Sequence, residues 1–229
     1  MFGTLYTSQD VVSSTYAAAL LATFSTAVLC LLGLTWSGEK WRVPLAMVGV
    51  AALASALHYM GATSLWLTSQ KASAGIRFSG WFTVHPLQVA AVYFFSNAVA
   101  KVPSGVFWRL TAAALLMVFS RFLGDAGFFN PTLGVLLSIG FWLYILGEMY
   151  FGAMPDIIRK SSRPVRLGYF WIRLIMTIGW AIYPILHFVD VVIGAGQGPG
   201  VVALYTLFDL INLITPSLII LAVAGQERY

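Results

Sequence analysis

Charged residues are scarce in this chain, and their scarcity excludes an ordinary soluble fold. Asp, Glu, Lys and Arg together make up 9% of the 229 residues, whereas 59% are hydrophobic. Soluble globular domains carry roughly 25% charged residues, so this composition is typical of an integral membrane protein.

Cysteine is nearly absent as well, since Cys30 is the only one in the sequence. A single cysteine excludes an internal disulfide and a cysteine-rich metal site. The three histidines, His58, His85 and His187, are scattered and lack nearby paired carboxylates, so no metal site is expected. The sequence also lacks a nucleophile–base pair and a phosphate loop, and we therefore do not expect an enzyme.

Long apolar segments occupy most of the sequence, each near the roughly 20 residues that a membrane-spanning helix needs. Seven are found, with approximate limits 11–36, 43–68, 76–100, 107–128, 131–153, 168–193 and 200–224. The breaks contain turn-forming residues, such as Asn130-Pro131 and the glycine- and proline-rich run 194–200. The sequence predicts an all-α membrane protein whose single domain, residues 1–229, is a seven-transmembrane-helix bundle in the cell (inner) membrane.

Basic residues are concentrated on one side of these spans. On the other side of the spans, the loops contribute essentially one basic residue, Lys71. The connections between spans 1–2, 3–4 and 5–6, with the C-terminus, hold Lys40, Arg42, Lys101, Arg109, Arg159, Lys160, Arg163, Arg166 and Arg228. The positive-inside rule therefore predicts an N-terminus outside and a C-terminus in the cytoplasm. The net charge of +5 reflects this bias, and nucleic-acid binding is not expected.

Segments from five of the spans resemble proteorhodopsin-like microbial (type 1) rhodopsins in residue order and spacing. They are His58-Tyr59-Met60, Arg77-Phe78-Ser79-Gly80-Trp81 with Pro86-Leu87-Gln88, Trp142-Leu143-Tyr144, Trp180-Ala181-Ile182-Tyr183-Pro184, and the seventh-span stretch from Tyr205 to Asp209. The resemblance implies the seven-helix rhodopsin fold, with a ligand cavity between spans 3, 5, 6 and 7.

The chain departs from that family at three positions on which its photochemistry depends. Four residues after the aspartate, the family has the lysine that carries retinal, and this chain has Leu213. The family's proton acceptor is replaced by Gly80, and its proton donor, eleven residues further on, by Ala91. The resemblance therefore implies a lysine-less homologue that cannot bind retinal covalently and is not itself a light-driven proton pump.

The remaining lysines do not replace the missing one. Lys40, Lys71, Lys101 and Lys160 all fall at span ends or in loops. A Schiff base near neutral pH needs a desolvated amine with a lowered pKa, and amines at the membrane surface are solvated. We expect no covalently bound cofactor.

A vestigial retinal pocket is implied by the same resemblance. Its residues are Trp81, Trp142, Trp180, Tyr183 and Leu213. The aromatic side chains either sandwich a flat polyene, such as a noncovalent retinal or carotenoid, or simply pack the core of a bundle without a ligand. The sequence leaves both alternatives open.

Two altered positions lie beside this pocket. His85 shares a helical stripe with Arg77 and Trp81, where it either packs or provides a polar lining. Arg121 stands where the family commonly has a glycine that leaves room for the retinal ring. It either pairs with Asp125, four residues on, with its guanidinium reaching outward, or fills the pocket.

A polar network is predicted around the seventh-span aspartate. Without a Schiff base, Asp209 is expected to form a structural ion pair with Arg77, the alternative being a residual anion or proton site. His58 matches a family histidine whose partner is the missing aspartate. It is expected to hydrogen-bond Tyr59, water or a neighbouring subunit, and Tyr205 belongs to the same network.

Three functions follow as alternatives from the resemblance. The first is action through a homo-oligomer, a trimer or pentamer as in the family, or through a hetero-oligomer with a retinal-bearing rhodopsin. The second is a sensor or carrier that binds retinal or carotenoid noncovalently. The third, light-driven ion pumping or photoreception, follows from family transfer only. The lipid bilayer is a partner in every case.

Overall fold

The structure, a computed structural model, describes residues 10–69, 74–193 and 198–227. Lys71, Arg228 and residues 194–197 of the predicted loops lie outside this part of the chain. The described helices are α1 (Val11–Trp36), α2 (Glu39–Ser69), α3 (Ala74–Asn97), α4 (Ser104–Asp125), α5 (Pro131–Phe151), α6 (Ala153–Arg159), α7 (Arg163–Ile193) and α8 (Pro199–Gln226).

The long helices form a closed bundle around a buried core. Helices α1 to α5 pack side by side in sequence order, α5 packs against α7, and α8 closes the bundle against α1 and α2. Large side chains fill the interior, among them Trp41, Phe78 and Phe95, whereas residues such as Phe24 and Leu143 face outward. In the described ranges, six helical segments are long and apolar enough to cross a membrane. The predicted all-α membrane bundle is confirmed.

Some helices are longer than the predicted spans, because charged residues extend the helix beyond its apolar part. Helix α1 has the predicted limits 11–36, but α2 begins at Glu39 and α7 at Arg163. Arg166, predicted to lie in a loop, is therefore helical. Hydropathy marks where an apolar stretch begins, whereas a helix also continues through charged residues exposed at the bilayer surface.

The end of the fifth span contains a break that the sequence did not predict. Gly152 adopts an extended conformation, with φ −82° and ψ −162°, and it ends α5. The short helix α6 follows directly and buries Met154 and Ile158. At the other end of α5 the predicted punctuation is confirmed, because the Asn130 side chain caps the helix and Pro131 takes its first position.

Asp10 fixes the start of α1 and ties it to α2. Its carboxylate accepts hydrogen bonds from the backbone N–H groups of Val12 and Ser13, at 3.2 and 3.3 Å, and from the indole N–H of Trp66. Burial raises the pKa of Asp10, but the hydrogen bonds outweigh burial and hold this pKa below its ordinary value. The ionised carboxylate is therefore the capping form.

Candidate functional site

Leu213 is an ordinary core residue of α8. Its side chain is 2% exposed and packs with Ala27, Ala51 and Ala52 from α1 and α2. Leu213 lies one helical turn after Asp209, so the two side chains share a face of α8. On this side Leu213 packs against hydrocarbon, and its own side chain supplies no amine.

Asp209 receives hydrogen bonds from three aromatic side chains. The Tyr183 hydroxyl donates to Oδ1 at 2.6 Å, and the Trp81 indole N–H donates to the same oxygen at 3.3 Å. The Tyr59 hydroxyl donates to Oδ2 at 3.0 Å. These donors belong to α7, α3 and α2, so a single carboxylate on α8 links four helices. Hydrogen bonding of this kind compensates for the burial of a polar group.

Arg77 does not form the predicted ion pair with Asp209. Among the ion pairs of the described residues, this one is missing. The Arg77 guanidinium lies instead over the ring of Tyr205, 4.6 Å from its centroid, a cation–π geometry. The predicted direct ion pair is therefore not formed, and neutral ring donors hydrogen-bond both carboxylate oxygens of Asp209 instead.

His58 occupies the space beside Gly80. A Cβ atom built on Gly80 would lie 2.8 Å from Cγ and 2.9 Å from Nδ1 of the His58 ring. Such contacts are shorter than van der Waals separation, so a larger side chain at position 80 requires His58 to move. The His58 ring also stands edge-on to Tyr59, with centroids 5.0 Å apart. The resemblance already implied that positions 58 and 80 are neighbours, and the structure adds that the His58 ring itself fills the space beside Gly80.

Gln88 and Asn212 form a second link between helices. The Gln88 side-chain amide donates to the backbone carbonyl of Asn212 at 2.7 Å. In a regular helix this carbonyl would accept from the N–H of residue 216, but Pro216 has no N–H. The proline is the signal that could have identified a free carbonyl, although not its partner.

The Asn212 side chain extends the link to α7. Its amide nitrogen donates to the carbonyl of Gly179 at 2.9 Å and to the Tyr183 hydroxyl at 3.1 Å. Gly179 is required for this approach, because a Cβ atom there would overlap the Asn212 amide oxygen. The network around Asp209 therefore continues through Tyr183 to Asn212.

Two small cavities lie on either side of His85. One, of about 50 Å³, is lined by Trp81, Trp142, Trp180, Tyr183 and Arg121, among others. The other, of about 20 Å³, lies between polar and small residues that include His58, Gly80, Asp209, Asn212 and Leu213. A water molecule needs roughly 10–15 Å³ of such space. The larger cavity therefore has room for a few water molecules, and the smaller one for a single water molecule.

His85 is fully packed between the two cavities. Its side chain is 5% exposed, its Nδ1 lies 3.2 Å from the Trp81 carbonyl, and its ring centroid is 4.8 Å from that of Trp180. The His85 ring therefore packs against tryptophan and also lines both cavities.

Arg121 also combines its two predicted alternatives. Its guanidinium forms the expected ion pair with Asp125 at 2.8 Å. It does not reach outward, since its side chain is 13% exposed and lines the aromatic cavity, with Nη1 3.3 Å from Nδ1 of His187. A cation therefore stands in the wall of the vestigial pocket.

The other predicted positions lie in apolar surroundings. Ala91 is 1% exposed within the main hydrophobic core. The Trp142 indole N–H donates to the Met176 carbonyl at 3.0 Å, which fixes its ring. The Trp180 indole N–H is buried and has no hydrogen-bond acceptor among the described residues.

No group of three or more potential metal ligands occurs in the described part of the chain.

Comparison with known proteins relates this geometry to one family. The sequence profile of bacteriorhodopsin-like proteins matches residues 11–226. The blue-light absorbing proteorhodopsin of Gamma-proteobacterium Hot 75m4 is 30% identical over 193 residues, which cover 82% of this chain and 76% of that protein.

Solved structures agree with this assignment. The blue light-absorbing proteorhodopsin from Med12 is 26% identical, with a TM-score of 0.80 over 95% of this chain and 100% of the other. A thermophilic rhodopsin, 20% identical, gives a TM-score of 0.85 over 99% of this chain and 96% of the other, which shows a shared fold. The predicted rhodopsin fold and multi-pass membrane location are confirmed.

Proposed function

This chain belongs to the bacteriorhodopsin-like family, and from that premise we propose that it works without covalently bound retinal and does not itself pump ions. The observation that carries the proposal is the burial of Leu213 among alanine side chains, at the position that the resemblance assigns to the retinal-bearing lysine. An imine requires a primary amine, and a leucine side chain has none.

The absence of pumping is inferred from the groups that would have to exchange protons. Position 80 carries no carboxylate, and the ring of His58 occupies the space beside it. Ala91 carries none either and lies in the apolar core. Asp209 remains, but its oxygens accept hydrogen bonds from Tyr59, Tyr183 and Trp81. We likewise propose that the protein has no enzymatic activity.

We place the action of this protein in assembly with other rhodopsin chains, as a homo-oligomer or with a retinal-bearing relative. The support is the outer face of α2, where Gly61, Ser64 and Thr68 are exposed. A Cβ atom on Gly61 would meet nothing within 4 Å. Small and polar residues on a membrane helix favour close helix–helix packing over contact with lipid.

The retinal half of the proposal is tested by spectroscopy. The protein is purified with all-trans retinal present, and its absorption is recorded before and after hydroxylamine. We expect no band that hydroxylamine bleaches and no adduct after borohydride reduction. A reduced adduct on this polypeptide, located by peptide mass spectrometry, would overturn the proposal.

The assembly half is tested by co-purification from the membrane. This chain and a proteorhodopsin-like pump are co-expressed with different tags, and each tag is used to capture the other chain. We expect mixed oligomers that Gly61→Leu disrupts. Gly140→Leu on α5 is the matched control, since a Cβ atom there also meets nothing within 4 Å. Separate complexes of both kinds, or equal loss with the control, would contradict assembly through α2.

Noncovalent polyene binding is a second candidate, favoured by the aromatic walls of the 50 Å³ cavity. Arg121 opposes it, because its guanidinium lies in the same wall. The retinal titration separates the two candidates. A saturable red-shifted band that hydroxylamine does not bleach would favour the noncovalent site, and the spectrum of free retinal at every concentration would exclude it.

A further inference from the structure

A cleft of about 380 Å³ opens between α5, α6 and α7 at the basic end of the bundle. This is the end that the distribution of basic residues assigns to the cytoplasm. Three arginines, Arg159, Arg166 and Arg173, line it together with aromatic residues that include Tyr150 and Phe170. The cleft is separate from the cavities beside His85, and the proposed function does not use it.

Arg173 holds a fixed place in this cleft. Its guanidinium carbon lies 4.1 Å from the ring centroid of Tyr150 and 5.8 Å from that of Tyr169. Both rings are held in turn, since the Tyr150 hydroxyl lies 3.0 Å from Oγ1 of Thr177 and the Tyr169 hydroxyl donates to the Met149 carbonyl at 2.8 Å. The guanidinium is therefore positioned before any ligand arrives.

The hydrogen-bond donors of Arg173 lack an acceptor within the described ranges of the chain. The ion pairs there involve Lys40, Arg109, Arg121 and Arg159, and none involves Arg173. The side chain is half-buried, so its surroundings are only partly aqueous. Donors of this kind are satisfied by water or by an anion, and an anion gives the stronger, charge-assisted hydrogen bonds.

The charge of the cleft is also positive overall. Arg166 is exposed and donates to the carbonyl of Ser161, which leaves its charge uncompensated. Arg159 pairs with Asp156, the one carboxylate among the described lining residues. The described lining of the cleft therefore carries three guanidinium groups and one carboxylate. Guanidinium forks match the geometry of phosphate oxygens, to which they donate paired hydrogen bonds.

We propose that this cleft binds the phosphate headgroup of an anionic phospholipid from the adjacent leaflet. Free phosphate has the same chemistry, but the rim of the cleft favours a lipid. Phe151 is 89% exposed, Phe170 45% and the neighbouring Trp171 50%. These apolar side chains lie where acyl chains would descend from a headgroup held by Arg166 and Arg173. Basic pockets between membrane helices bind anionic headgroups in this way.

The proposal is tested on the full chain in neutral detergent by native mass spectrometry. Phosphatidylglycerol, cardiolipin and phosphatidylcholine are titrated against the protein and against the variant Arg166→Gln/Arg173→Gln. We expect the anionic lipids to bind at least about tenfold more tightly than phosphatidylcholine, and the variant to lose about tenfold of that affinity. The matched control is Arg42→Gln/Arg163→Gln, which removes the same charge outside the cleft and is expected to retain the affinity within about twofold.

Several outcomes would overturn the proposal. Equal loss in the control would mean attraction by net charge alone, and equal binding of phosphatidylcholine would mean a site for acyl chains. Displacement of the lipid by inorganic phosphate at equimolar concentration would assign the cleft to the free anion. If the double variant does not fold, Arg166→Gln decides alone, because Arg166 is exposed and its loss leaves the core intact.

Discussion

The side-chain amide of Gln88 hydrogen-bonds the backbone carbonyl of Asn212 at 2.7 Å, one residue before Leu213. The carbonyl is free because Pro216 supplies no N–H to it. A proline within a membrane helix is tolerated where a neighbouring helix satisfies the backbone group that it releases. Here α3 does so for α8, beside the smaller of the two cavities.

The first prediction concerns this bond. Gln88→Leu is expected to lower the free energy of unfolding by about 1–3 kcal/mol, since it leaves a buried carbonyl without a donor. The measurement is thermal or denaturant unfolding in detergent. The control repeats the substitution in Pro216→Ala, where the backbone N–H of residue 216 is restored. If Gln88→Leu costs as much in that background, the carbonyl is not the reason for its effect.

The second prediction concerns the contact between Gly80 and His58. Gly80→Ala is expected to lower the unfolding free energy by about 1–3 kcal/mol, because the added methyl group overlaps the imidazole. His58→Ala in the same chain is expected to recover most of this loss. Gly140→Ala, at an open helical position, is the matched control and is expected to be neutral or slightly stabilising. An equal loss at both glycines would show that the contact with His58 is not the cause, since helix propensity alone favours alanine over glycine.

The third prediction restores the missing amine. Leu213→Lys places a desolvated lysine one turn after Asp209, and we expect retinal to give a visible band that hydroxylamine bleaches. The additional substitution Arg121→Gly is expected to raise the yield of pigment, since it opens the wall of the aromatic cavity. Illuminated vesicles of either variant are expected to show no change in external pH, because Gly80 and Ala91 remain. A light-driven pH change would refute our account of the proton path.

The fourth prediction concerns Asp10, which caps α1. Asp10→Ala is expected to cost about 1 kcal/mol of unfolding free energy at neutral pH. Hydrogen bonds hold the pKa of Asp10 below its ordinary value of 3.8, so its contribution is complete above that value and is lost as the pH falls through the lower folded pKa. The difference between wild type and Asp10→Ala in unfolding experiments is expected to stay constant from pH 7 to about pH 5, and to close below pH 3.8.

Asp10→Asn separates the capping hydrogen bonds of this residue from the effect of its ionisation. Asparagine also caps helices but does not titrate in this range, so its stability relative to Asp10→Ala is expected to be independent of pH. A pH-dependent difference between those two variants would show that another group is responsible.

Features that depend on a single helix were predictable from the sequence. The apolar length of α1 gave its limits, and Asn130 followed by Pro131 gave the start of α5. Both depend on neighbouring residues in the chain, which a sequence displays directly. The resemblance also brought Trp81, Trp180 and Tyr183 to one cavity, as the structure has them.

Features that depend on competition between helices were not predictable. Opposite charge made Arg77 the expected partner of Asp209, but hydroxyl and indole donors from three other helices reach the carboxylate. Which donor lies nearest depends on helix rotation and separation to within about an ångström, and hydropathy does not report either. For the same reason the cleft around Arg173 was not predicted.

The hydrogen bonds that converge on Asp209 have a consequence for the production of this protein in cells. The chain's own tyrosines and tryptophan supply these hydrogen bonds, so under the proposed retinal-free function we expect folding to need no prosthetic group. The amount of folded protein is then expected not to depend on the supply of retinal. Hosts with and without a carotenoid biosynthetic pathway are expected to accumulate it equally.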